Sequence, residues 1–162
     1  MLVLLAGFTG VDAARACSLG SGVLEDDLAH AFQAVDEVFV ARLTSYRKVP
    51  PGPGGEYMLV QSDYELVETL KGHPQAHGVL VEADPYSPLP GHAPGPACGP
   101  WVVHAGSVGH TALVLAHRWT DDNAGGLDVH PYSRRIDVSG TGADEVLAIV
   151  RKLSLQAGET AP

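Results

Sequence analysis

Two cysteines, eight histidines and several paired carboxylates are the residues of this chain whose chemistry must be accounted for first. Cys17 and Cys98 lie too far apart in sequence to be a metal-ligand pair or a C-x-x-C redox centre. Ser107 sits in Gly106-Ser107-Val108-Gly109, but Ala105 stands where a nucleophile elbow requires glycine two places before the serine. His73 and His77 have the i,i+4 spacing of zinc ligands on a helix; Pro74 lies between them and no glutamate follows His73, so the zincin arrangement is missing. His30, His92, His104, His110, His117 and His130 are scattered and read as surface or strand-packing histidines rather than ligands. Asp26-Asp27 falls at a helix start and Asp121-Asp122 in a turn, positions that explain both pairs structurally. The expectation from these residues is a binding protein rather than an enzyme, with no cofactor.

The N-terminal segment sets the compartment. Leu2 to Phe8 is a short apolar run, and Ala14-Arg15-Ala16 is a small-x-small pattern suited to signal peptidase. Residues 1–16 are therefore expected to be a signal peptide, which makes Cys17 the first residue of a secreted, periplasmic or cell-envelope protein. The run is too short to span a bilayer, so no transmembrane segment is expected; a buried N-terminal strand or helix is the structural alternative. Lipidation of Cys17 is disfavoured, because Ala14 and Arg15 match the residues a lipoprotein signal needs poorly. In an exported chain an even pair of cysteines is most simply read as one disulfide, with two unpaired buried thiols as the alternative. Closing a loop of about 80 residues stabilises by roughly 4 kcal/mol in the chain-entropy model.

Composition agrees with one folded domain. The 162 residues are 45% apolar and 18% charged, which is globular rather than disordered composition. The formal net charge of -9 repels phosphate backbones, which argues against nucleic acid as a partner.

Positioning falls to a few short elements. Leu24, Leu28, Ala31, Phe32 and Val35 recur at helical spacing, with Ser21 or Gly22 as cap and Glu25, Asp26 and Asp27 in the first turn. Strands are predicted from Glu37 to Tyr46 and from Tyr57 to Leu70, separated by the breakers Pro50 to Gly55, with Lys71-Gly72 as the next turn. Gly78 to Ala83, Thr111 to Ala116 and Leu127 to Tyr132 are three more strands. The prolines between Asp84 and Pro100 predict a long loop that carries Cys98. A helix begins near Ala143, with Thr141 and Asp144 spaced as a capping box and Val146, Ile149, Val150 and Leu153 as its apolar stripe. The domain is expected to span residues 17–156, with a flexible tail at 157–162. Five short strands without βαβ alternation, a helix before and a helix after predict a mainly β fold, a five-stranded OB-like antiparallel barrel; pattern alone leaves a sandwich open.

The order of these features resembles the tissue inhibitors of metalloproteinases and their netrin-like relatives. The resemblance rests on Cys17-Ser18 at the mature start, a helix ending near Ala34-Val35-Asp36 and a strand Val38-Phe39-Val40-Ala41-Arg42. Tyr64-Glu65-Leu66 leading to Leu70-Lys71-Gly72, then Ala97-Cys98-Gly99, Val108-Gly109 and Leu113-Val114 continue it over about four fifths of the chain. Each motif is short, and their succession carries the likeness.

The resemblance implies an OB-type barrel, a Cys17 to Cys98 disulfide, and a partner-binding edge built from Cys17, Ser18, Leu19, Pro96, Ala97 and Cys98. It implies that the free α-amino and carbonyl groups of Cys17 would chelate the zinc of a target metalloprotease while Ser18 enters its specificity pocket. An α-amino group with a pKa near 8 is partly deprotonated at neutral pH, and a catalytic zinc keeps an open position for it. The family's second cysteine is Leu19 here, its late-strand partner near His130 is absent, and its cysteine-rich C-terminal domain has no counterpart in these residues. A less rigid edge should bind more weakly. The function expected is an exported protein-binding module, with a metalloprotease inhibitor as its specific form and a structural or adhesion-type surface module as the alternative.

Overall fold

The computed structural model describes residues 25–93, 102–118, 126–137 and 143–159. Ten-residue helix α1 (Glu25–Ala34) places Glu25, Asp26 and Asp27 in its first turn, where they complement the helix dipole, and buries Leu28, Ala31 and Phe32. Its last turn has no basic residue of its own. The missing charge comes from the end of a strand: Lys71 Nζ donates to the carbonyls of Phe32 (2.7 Å), Gln33 (3.0 Å) and Val35 (2.6 Å). Orphan carbonyls and the negative end of the dipole are satisfied together.

The strands are β1 (Glu37–Leu43), β2 (Arg47–Val49), β3 (Tyr57–Lys71), β4 (His77–Pro88), β5 (Thr111–Arg118), β6 (Leu127–Val129) and β7 (Arg134–Arg135), followed by helix α2 (Ala143–Glu159). Their order is β1-β3-β4-β6-β5, and β5 pairs back onto β1, so five strands close into a barrel. The chain is mainly β, with one helix before the barrel and one after it, as the element order predicts. β2 adds to β3 and β7 to β5 as short accessory strands outside the closed path. Four seams of the barrel are antiparallel, and the fifth is a parallel pairing of β4 with β6 at Leu80↔Leu127 and Val81↔Asp128.

Two apolar layers explain why β1 and β5 show no clean alternation. Phe39, Ala41, Leu43, Ala112, Val114 and Ala116 point into the barrel with Val60, Tyr64 and Leu80, beside Val102 and Val103. Val38, Val40, Leu113 and Leu115 pack on the opposite side, under α1 and α2. Strands buried on both faces read as continuous apolar runs. Val146 and Val150 of α2 are buried in this outer layer, with Ile149 and Leu153 packed against it, which is the predicted stripe. Among the described residues no helix is long and apolar enough to cross a membrane.

Several element bounds differ from the sequence expectation. β4 runs past Ala83 through Pro85 to Pro88, into the segment read as loop. Among the described residues, β4 from Glu82 onward pairs with β3 alone, so a proline there removes no donor from a second described ladder. The last barrel strand stops at Val129, short of Tyr132, and α2 continues through residues read as tail to Glu159. The helix caps expected at Ser21, Gly22 and Thr141 lie outside the described residues.

The turn at Lys71-Gly72 depends on its glycine. Gly72 has φ of +76°, and a Cβ there would lie 2.6 Å from the carbonyl oxygen of Asp36. Gly72→Ala combines an unfavourable backbone region with a backbone clash, so it is expected to destabilise the fold by about 1–3 kcal/mol, measured by urea unfolding.

Candidate functional site

All six residues of the edge implied by the resemblance, Cys17, Ser18, Leu19, Pro96, Ala97 and Cys98, lie outside the described residues, as do both ends of the expected disulfide. The described part of the β4–β5 connection contributes to a hollow. Val103 and His104 join Tyr46, Val60, Asp84 and Tyr86 around a mainly apolar hollow of about 280 Å³. Tyr86 is 64% exposed on its rim.

The polar side of this hollow is held rigidly. Asp84 Oδ2 accepts from Lys48 Nζ and from Ser87 Oγ, both at 2.7 Å, and its Oδ1 accepts from the Tyr86 N–H at 3.0 Å. Burial alone would raise the Asp84 carboxyl; Lys48, Ser87 and the Tyr86 N–H outweigh it and hold the carboxyl below its usual range.

Glu82 anchors the connection to the barrel, its carboxylate accepting from the Val103 N–H at 2.9 Å. Burial pushes the Glu82 carboxyl up to about 7, opposed by the N–H groups of Val103 and Val102 and aided by the charge of Asp128. Sequence reasoning passed over this residue, because Glu82 looks like an ordinary polar position at the end of a short strand.

A larger cleft, of about 550 Å³, opens where β1 begins and β5 ends. Glu37 and Arg118 form one wall: Glu37 Oε1 accepts from Arg118 Nε at 3.0 Å and lies 2.9 Å from a terminal guanidinium nitrogen. Glu37 is only 4% exposed and Tyr64, beside it, only 3%. His73 and Gln75 stand on the exposed rim, and Gly78 and Val79 of β4 line the other side. A Cβ at Gly78 would come 2.8 Å from the Tyr64 hydroxyl, so the bare glycine keeps the phenol in place. Burial raises the Tyr64 phenol above its ordinary value, the Glu37 charge adding to the rise, so the hydroxyl keeps its proton at neutral pH. The strand pattern placed Glu37, Tyr64, Gly78 and Val79 on strands without showing that they meet.

The residues weighed for chemistry in the sequence stand as follows. Ser107 lies in a single 3₁₀ turn (Ala105–Ser107) followed by a strand, not in the strand-to-helix turn of a nucleophile elbow. Its hydroxyl is buried without a partner among the described residues. His73 stands at the cleft rim and His77 opens β4. Two of the scattered histidines do meet: the rings of His117 and His130 lie 6.1 Å apart across β5 and β6, with Tyr132 5.4 Å from His130. Burial, with the charge of His117 adding, holds His130 below its ordinary pKa. Among the described residues no group of three or more His, Cys, Asp or Glu side chains is arranged to hold a metal ion.

The chain matches no protein-family model and no curated protein.

Proposed function

We propose that this chain is an exported protein-binding module built on an OB-type barrel, and that it inhibits a zinc metalloprotease through the α-amino and carbonyl groups of Cys17. The observation that supports this reading most is the hollow at Tyr46, Val60, Tyr86, Val103 and His104. Two of its residues, Val103 and His104, belong to the stretch of sequence between β4 and β5 that also contains Pro96, Ala97 and Cys98, which the resemblance assigns to partner binding. An exposed tyrosine such as Tyr86 beside an apolar depression is a typical anchor of protein interfaces, supplying large contact area with few rotatable bonds. The rigid Lys48–Asp84–Ser87 network beneath them lowers the ordering cost of binding.

The expected disulfide would tie Cys17 to this edge, and the barrel would serve as a rigid platform. Barrels of this type host many functions, so the partner is identified by chemistry at the edge rather than by fold.

The test uses the exported protein with its N-terminus established by sequencing and its intact mass taken with and without reduction. Protein starting at a free Cys17, with a mass two hydrogens below the reduced form, is expected to inhibit at least one member of a panel of zinc metalloproteases. Acetylating the Cys17 amine is expected to weaken that inhibition by at least about a hundredfold, because the acetylated nitrogen cannot ligate zinc. Equal inhibition before and after acetylation, or none against the panel, would overturn the zinc-chelating reading and leave the structural or adhesion-type module.

A further inference from the structure

We propose that the cleft between Glu37, Tyr64 and Arg118 is a binding site for a primary ammonium or guanidinium group. The proposal does not depend on the Cys17 edge.

Two polar groups, each more than nine-tenths buried, converge on this cleft with unused hydrogen-bonding capacity. Glu37, 4% exposed, receives both Arg118 contacts on Oε1, and no hydrogen bond reaches its second oxygen among the described residues. Tyr64, 3% exposed, has no hydrogen-bond partner for its hydroxyl among the described residues. Among the described residues the sealed polar side-chain atoms without a partner are on Ser107 and Arg134, so these two oxygens open into the cleft, where a guest can reach them and exchange its donors for water.

Ligand charge follows from which atoms are unused. The second Glu37 oxygen accepts only, so a guest must donate there, while the Tyr64 hydroxyl can accept from the same head group. An ammonium carries three donors and a guanidinium five, and hydrogen bonds from a cation to a carboxylate are roughly twice as strong as neutral ones. An anionic guest would meet the lone pairs of Glu37, and the guanidinium of Arg118 that would attract it is already paired with Glu37 and is 61% exposed to screening solvent. Val79 and Leu127 offer apolar surface to the alkyl stem behind such a head group. The net charge of -9 also draws cations towards the protein. The head group is the recognised unit, and it can belong to a free alkylamine or to a lysine or arginine side chain of a partner.

The experiment is an NMR titration of the full chain, following backbone amides, with butylammonium, acetyl-Gly-Lys-Gly-amide, acetamide and acetate. Butylammonium is expected to give saturable shifts at His73, Gly78 and Val79, with acetamide and acetate giving none at equal concentration. Glu37→Gln should weaken binding at least about tenfold, and Tyr64→Phe, which keeps the ring in the core, about fivefold. Peptide binding about ten times tighter than butylammonium would assign the site to a basic side chain of a protein, and equal binding to a free amine. Absence of saturable shifts up to about 100 mM would overturn the proposal. So would preferential saturation by acetate or acetamide, or unchanged binding in a folded Tyr64→Phe variant; that variant decides the matter if Glu37→Gln fails to fold.

Discussion

Replacing Glu82 by Gln should flatten the acidic-to-neutral part of the stability profile, with the variant gaining on the native chain by about 3 kcal/mol between pH 4.5 and pH 8. Burial raises the folded-state carboxyl from the usual 4.5 to about 7. A group whose pKa is raised on folding contributes stability that is fully present below its unfolded value and is lost as pH rises through the folded value. At about 1.4 kcal/mol for each pH unit, the Glu82 rise corresponds to a loss on the order of 3 kcal/mol by pH 8. The Gln amide oxygen can still accept from the Val103 N–H that Glu82 holds at 2.9 Å, so the variant keeps the tether without the buried charge. Urea unfolding of both proteins at pH 4.5, 6 and 8 measures the difference. His104 and His130 are both held below their ordinary pKa chiefly by burial, which favours stability at higher pH. Those contributions are common to both proteins and cancel in the comparison. A constant difference across the range would show that Glu82 is solvated and that Val103 is not held by a buried carboxylate.

The second large effect is expected inside the barrel. Phe39 is fully buried on β1, the strand that closes the barrel, and its ring lies 5.0 Å from the Tyr64 ring. Phe39→Ala removes that packing and leaves a cavity the closed sheet cannot easily collapse, so a loss of about 3–5 kcal/mol is expected in denaturant unfolding. Val67→Ala is the control: Val67 is 61% exposed on β3, and its replacement should change stability by no more than about 0.5 kcal/mol. The two variants together test closure, because an open sheet would let the layers relax around the missing ring. Phe39→Ala should also loosen the Tyr64 phenol and weaken cation binding in the cleft, whereas Val67→Ala should not.

The expected strands between Glu37 and Ala116 are present, and the second helix begins at Ala143 as its stripe predicts. These were legible because each is written in local chemistry: apolar period, carboxylates in a first turn, breaker residues between runs. β4 outran its prediction because proline was judged by its own chemistry, while what matters is whether a neighbouring strand needs its missing donor. Only the third dimension shows that, among the described residues, β4 pairs with β3 alone there.

The candidate sites divide in the same way. The Cys17 edge is an expectation from a succession of short motifs, and its six residues lie outside the described part of the chain. The cation cleft was not legible, although Glu37, Tyr64, Gly78, Val79 and Leu127 could be placed on strands. Glu37 opens β1, Tyr64 is mid-strand in β3 and Arg118 ends β5, and none of the three forms a motif with its sequence neighbours.

By itself the sequence determined both helices, the five barrel strands in outline and a formal net charge of -9. Those properties depend on residues a few positions apart and on summed charge. Tertiary structure alone decided that the barrel closes through a parallel seam and that Glu82 reaches under Val103. It also decided that a carboxylate, a phenol and a guanidinium from three strands face one another. Register and closure are properties of strand pairs, set by which packing buries most apolar surface with its backbone groups paired, and no single strand encodes them.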